Sequence, residues 1–139
     1  MPTESKVDPD RGAAMDLALA EARAFVDAIV RHDWDRIAAC FAPESHFRAV
    51  VPNESPFRDR LGGSEAAAQI QRWFADADIT ELVSSVIEPM GDRVHVAYRI
   101  HEHEPDGWYL VEQQAFITPG ASGFAFMNLA CSGFRPVPA

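Results

Sequence analysis

RVHVAYRIHEHEPDGWYLVEQQAFIT, residues Arg93 to Thr118, reads as two long strands joined by a tight turn at Glu104-Pro105-Asp106-Gly107. Proline presets φ in such a turn and glycine supplies the positive φ that closes it. In the first strand Val94, Val96, Tyr98 and Ile100 point one way, and His95, Arg99, His101 and His103 point the other. Closing the hairpin between Glu104 and Gly107 pairs Val94 with Ile117, Val96 with Ala115, Tyr98 with Gln113 and Ile100 with Val111. The second strand plays no part in choosing that register, yet its apolar residues land on the apolar face. On the other face Arg99 falls opposite Glu112, a favourable cross-strand pair. One face of the hairpin is therefore an apolar wall carrying two polar groups, Tyr98 and Gln113.

Upstream, the pattern is helical. Met15, Leu19, Ala22, Val26 and Ile29 form one stripe between Ala13 and Arg31, widened by Ala18 and Phe25. The pattern resets at His32-Asp33. Asp33 is placed to cap a second, short helix with Trp34, Ile37, Ala38 and Phe41 on one face, stopped by Pro43. His46 to Val51 is a short strand, with Phe47, Ala49 and Val51 on one face. Pro52 to Gly63, with two prolines and two adjacent glycines, is a loop that would flank or cover a pocket. Ser64 is the expected cap of a third helix carrying Ala66, Ile70, Trp73, Phe74 and Ala77 at helical spacing. Strands follow at Glu81–Glu88, in the hairpin, and at Phe124–Phe134. Residues 1–12 read as a disordered tail, 13–135 as one domain and 136–139 as a second tail, because proline offers no ladder donor. Three amphipathic helices must then cover one face of a curved, mostly antiparallel sheet. The expected fold class is α+β, with the three N-terminal helices packed in the concave face of that sheet.

The totals narrow the function. At 139 residues the chain suits one domain, burying roughly two-thirds of its unfolded surface. The formal net charge of −9, with Lys6 as the single lysine, argues against nucleic acid and against anionic membrane surfaces. No apolar run approaches the ~20 residues of a spanning helix, and the first residues lack the apolar core of a signal peptide. The expected location is the cytoplasm. Cys40 and Cys131 stand far apart without metal-ligand spacing, so both are expected as free thiols in the core.

Three stretches are similar to one known superfamily: FVDAIVRHDWDRIAACFAPE, GGSEAAAQIQRWF, and the closing strands ending LACSGF. Over residues 13–135 the chain resembles the nuclear transport factor 2-like superfamily, including ketosteroid isomerases and SnoaL-like polyketide cyclases. That resemblance implies a cone-shaped α+β barrel with an apolar pocket between sheet and helices, and dimerisation through the outer sheet face. It does not carry over the isomerase site. The family's first-helix tyrosine falls on Phe25, its general-base aspartate on Ala49, and its protonated aspartate on Gln113. The last-strand aspartate of the limonene epoxide hydrolases falls near Cys131.

Tyr98 and Gln113 are the candidate catalytic or anchoring pair, since a phenol beside an amide in an apolar wall can hold and polarise a carbonyl. They serve equally well as core groups satisfying each other. The expected pocket lining is Phe25, Ile29, Phe47, Ala49, Trp73, Val96, Val111, Met127, Leu129 and Cys131. His95, His101 and His103 lack a completing ligand, so no metal is expected, nor any cofactor. The function expected is binding of a small apolar or aromatic, polyketide-like molecule in the cone, with lyase, isomerase or cyclase chemistry. The alternatives are a non-catalytic binding or assembly module, and a hydrolase using a pocket-mouth carboxylate such as Glu54 or Asp76. A homodimer is expected through Arg99, Glu112 and Gln114 on the outer face.

Overall fold

The computed structural model describes residues 9–52, 54 and 58–138. Helix α1 (Pro9–Arg31) begins four residues before the expected start, inside the stretch read as a tail; the earlier part of that tail lies outside the described residues. Ala18, Ala22, Phe25, Val26 and Ile29 on its stripe are buried, with Met15 and Leu19 half-buried above them. His32 ends the helix in the left-handed region (φ 57°). There the Asp33 amide donates to Ala28 O (2.8 Å) and the His32 amide to Ile29 O (3.1 Å). These two bonds satisfy carbonyls that the last turn would otherwise leave open. The Asp33 carboxylate then caps α2 (Trp34–Ala39), accepting from the Arg36 amide at 3.1 Å.

Other boundaries also differ from the sequence reading. Helix α2 stops at Ala39, so Pro43 does not end it but lies within β1 (Phe41–Val50), which begins five residues before His46. Helix α3 (Gly62–Phe74) starts before Ser64, with Leu61 at the cap position. Glu65 supplies the polar partner instead, its Oε1 accepting from the Leu61 amide at 3.0 Å. That contact fixes a two-residue strand, β2 (Arg60–Leu61), against β1.

The remaining strands are β3 (Ile79–Met90), β4 (Arg93–Glu104), β5 (Gly107–Gly120) and β6 (Gly123–Val137). They form one open six-stranded sheet in the order β2-β1-β6-β5-β4-β3. The β4–β5 register is the expected one, including Tyr98 opposite Gln113 and Glu104 opposite Gly107. A single parallel pairing, β1 with β6, makes the sheet mixed. Strand β6 runs to Val137, past the expected end at Phe134. Pro136 fits because β1 pairs only as far as Ala130, leaving this end of β6 with β5 as its neighbour. The three helices and this curved sheet make an α+β domain whose core joins α1 and α3 to the inner faces of β1, β4, β5 and β6. No helix among the described residues is long and apolar enough to cross a membrane.

Gly63 and Gly133 are among the glycines that allow close approach. A Cβ on Gly63 would lie 2.1 Å from Ala38 O, because the start of α3 rests on the end of α2. Gly133, at φ 82°, would place a Cβ 3.1 Å from Pro52 Cγ. Gly63→Ala should therefore lower the unfolding free energy by about 3 kcal/mol through overpacking. Gly91→Ala, in an open turn, should lose only about 1–2 kcal/mol from its left-handed backbone. Urea denaturation checks both.

Candidate functional site

Alternation along β4 and β5 brings Tyr98 and Gln113 side by side on the inner face. The Tyr98 hydroxyl donates to Gln113 Oε1 at 2.6 Å, and each residue is 3 % exposed. Gln113 Nε2 donates to Cys131 Sγ at 3.3 Å, and the same sulfur accepts from the Gly133 amide at 3.4 Å. Burial holds the Tyr98 phenol well above its ordinary pKa, so it stays a donor. Burial likewise raises the Cys131 thiol, and Cys40 is pushed up to about 12 by its own burial. Neither thiol has the lowered pKa of a nucleophile.

The other residues expected to line a pocket are packed against one another. Phe25 meets Phe41, Tyr98 and Phe124 edge-on, with ring centroids 6.2, 6.5 and 6.1 Å away. Ile29, Phe47, Ala49, Val96, Val111, Met127 and Leu129 belong to the same buried cluster. Trp73 stands apart. It is half-buried at the edge of that cluster and lines two clefts where α3, the segment after β1 and the end of β6 come together.

The first cleft, about 400 Å³, is lined by Glu54, Arg58, Arg60, Gln69, Arg72 and Trp73. The second, about 310 Å³, shares Glu54 and Trp73 and adds Val51, Pro52 and the Ser132–Arg135 end of β6. Glu54 is the common centre. Its Oε2 accepts from Trp73 Nε1 at 3.1 Å and its Oε1 from Gln69 Nε2 at 3.5 Å. Gln69 is buried and also accepts from Arg72. Gly133, which ends the Tyr98–Gln113–Cys131 chain, is part of the second cleft's wall. Asp76, the other carboxylate considered for a pocket mouth, lines neither cleft. A wider cleft of about 560 Å³ lies between α1 and the β5–β6 turn; its one charged group among the described residues, Glu21, is already held by Arg36 at 2.7 Å.

Glu102 is the buried acid that the sequence reading passed over. Extending the inner-face series Val94, Val96, Tyr98, Ile100 by two residues would have found it. It is 0 % exposed, and neither carboxyl oxygen has a hydrogen-bond partner among the described residues. Burial raises its pKa to about 9, with Glu104 and Asp76 adding like charge. It is therefore neutral at pH 7.

The outer face carries four of the five histidines. His46, His95, His101 and His103 each stand within 4 Å of one carboxylate: Asp59, Glu88, Glu81 and Asp78 respectively. Each also lies against an aromatic ring. Arg99 donates to Glu112 at 2.7 and 3.0 Å, Arg135 donates to the same carboxylate, and Gln114 contacts His95 at 3.1 Å.

The sequence matches the SnoaL-like domain family over residues 22–134. The chain belongs to that family. Its fold is that of the nuclear transport factor 2-like superfamily, as solved structures agree. A protein provisionally named a polyketide cyclase from Xanthomonas campestris pv. campestris is 21% identical, with 84% of this chain and 91% of that chain covered at a TM-score of 0.67. A provisionally named isomerase from Bacillus subtilis is 12% identical over 86% and 88% of the two chains, at 0.71. An LEH-like epoxide hydrolase from M. tuberculosis is 14% identical over 83% and 82%, at 0.61. At these identities the likeness is one of fold. None of the curated proteins compared matches the sequence.

Two expectations follow for this SnoaL-like domain. Tyr98→Phe leaves the buried Gln113 oxygen unpaired and should cost about 1–3 kcal/mol, whereas Tyr98→Phe with Gln113→Leu should recover part of that loss. A double-mutant cycle by urea denaturation measures it. For Glu102, the folded state keeps a proton up to about pH 9 that the unfolded state releases near the ordinary carboxylate value of 4.5. The unfolded state thus binds fewer protons in that window, and stability should fall as pH rises through it. Glu102→Gln should flatten the decline and be the more stable protein at pH 8, by denaturation at pH 5 and pH 8.

Proposed function

We propose that this SnoaL-like domain binds a small, largely apolar or aromatic molecule where Glu54 and Trp73 meet, and acts on it by acid–base chemistry as a lyase, isomerase or cyclase. One observation carries the reading: a single carboxylate, oriented by an indole N–H and a buried amide, is common to two adjoining clefts. Their volumes, about 400 and 310 Å³, lie within the range of small-molecule sites. Val51, Pro52, Trp73 and Phe134 offer the apolar contact. Isomerisation and aldol-type ring closure share a first step, removal of a proton next to a carbonyl. Glu54 is assigned that step as general base. The names of the fold neighbours, polyketide cyclase and isomerase, are consistent with this class.

Within this reading Tyr98 and Gln113 back the cleft wall through Cys131 and Gly133. Tyr98 reaches a ligand carbonyl only by giving up its bond to Gln113. A second reading, a non-catalytic binding module, is favoured by the packed aromatic interior around Phe25. In both readings we place a second copy of the chain on the outer face at Arg99, Glu112 and Gln114.

The test is α-proton exchange of 2-tetralone in D₂O, followed by NMR, with native mass spectrometry of the same protein for dimer mass and any co-purified ligand. Glu54→Gln should slow the exchange by about 100-fold or more while leaving the fold intact. Exchange no faster than in buffer, with no ligand bound, would transfer the assignment to the binding-module reading.

A further inference from the structure

The chain is acidic, with 21 Asp and Glu against 12 Lys and Arg, so arginines have ample carboxylates to pair with. Several do. Arg36 pairs with Glu21, Arg48 with Asp59, and Arg99 and Arg135 with Glu112. Arg58, Arg60 and Arg72 make no such pair among the described residues, yet all three line the 400 Å³ cleft. The one carboxylate there, Glu54, accepts from Trp73 and Gln69 rather than from any guanidinium group. Arg60 donates to Arg58 O at 3.3 Å and Arg72 to Gln69, so both are steered by neutral oxygens. The cleft nearest to it in kind holds two arginines, Arg31 and Arg36, and balances them with Asp27 and Asp33.

Three converging cations set against a single cleft carboxylate leave an excess of positive charge, which an anion would offset. The excess registers at Arg60, whose pKa is lowered by burial first and then by Arg58 and Arg72, with Glu54 and Glu65 only partly opposing them. We propose that Arg58, Arg60 and Arg72 form an oxyanion-recognition subsite, and that the molecule bound in this cleft is an aromatic carboxylate. Guanidinium groups match a carboxylate in planar, two-point geometry, and Val51, Pro52, Trp73 and Phe134 of the adjoining cleft, which also holds Ser132 and Arg135, take the ring. Glu54 lines both clefts. This inference rests on the small-molecule reading of the cleft and names the ligand class for it.

The experiment is isothermal titration calorimetry of the intact protein with 2-naphthoate, its neutral counterpart 2-naphthamide, and 2-naphthyl phosphate. 2-Naphthoate should bind at least tenfold more tightly than 2-naphthamide, with an affinity that falls as salt rises. Arg60→Gln/Arg72→Gln should bring the carboxylate down to the level of the amide and leave the amide unchanged. The more exposed Arg58→Gln, which carries less risk to folding, should weaken the carboxylate alone. Glu54→Gln should tighten 2-naphthoate, since it removes a like charge from the cleft. Equal affinities for 2-naphthoate and 2-naphthamide would overturn the subsite while leaving the small-molecule site standing. A tenfold preference for 2-naphthyl phosphate over 2-naphthoate would overturn the carboxylate assignment. Binding of none of the three would bring down the small-molecule reading, and the subsite with it.

Discussion

The hydrogen bond from Tyr98 to Gln113 constrains the rest of the molecule. At 2.6 Å and nearly without exposure, it is the cross-strand contact that polar groups in an apolar wall must make. A one-residue slip of β4 on β5 would break it and turn every inner side chain outward. The bond therefore fixes the register in which Val94, Val96 and Ile100 face the helices. It also engages the polar groups of the wall: the phenol proton goes to the amide oxygen and one amide proton to Cys131. A ligand group reaching this depth would have to replace those bonds, at about 1–3 kcal/mol for each partner left unsatisfied.

That constraint explains where reactive groups remain available. Aromatic side chains from β1, β4 and β6 close around Phe25 of α1. Polar groups facing solvent-filled space gather instead where α3 meets the segment after β1 and the end of β6. There Trp73 contributes at once to the core edge, to the clefts and to the orientation of Glu54. The charge pattern divides in the same way. On the outer sheet face carboxylates are met by histidines and arginines, whereas the cleft keeps three guanidinium groups beside one carboxylate.

Much of the architecture was legible in the sequence because it rests on local signals. Strict alternation and one proline–glycine turn were enough to place eleven paired residues of β4 and β5. Asp33 was legible as a cap for the same reason: its partner amide is three residues away. Nonlocal features were not. The parallel pairing of β1 with β6 joins distant parts of the chain, and no residue near β1 announces it. Ser64 misled because Glu65 reaches back to Leu61, a contact that depends on β2 lying along β1. The site divided likewise. Tyr98 and Gln113 were found together by register alone, while the Arg58, Arg60 and Arg72 grouping was invisible because a loop, a two-residue strand and a helix bring it together. Glu102 was legible in principle, since it continues the buried face of β4 by two residues. A charged residue there simply reads as the strand's wet end.

The central claim is that ligands meet this protein at Trp73 and not at the Tyr98–Gln113 wall. The most direct test follows the three tryptophan indole N–H resonances and the Gln113 side-chain amide by ¹H–¹⁵N NMR during addition of 2-naphthoate. The Trp73 indole proton, which is donated to Glu54, should shift while Trp34, Trp108 and Gln113 hold still. A fixed Trp73 resonance with movement at Gln113 would place the ligand inside the sheet's concave face and contradict the account.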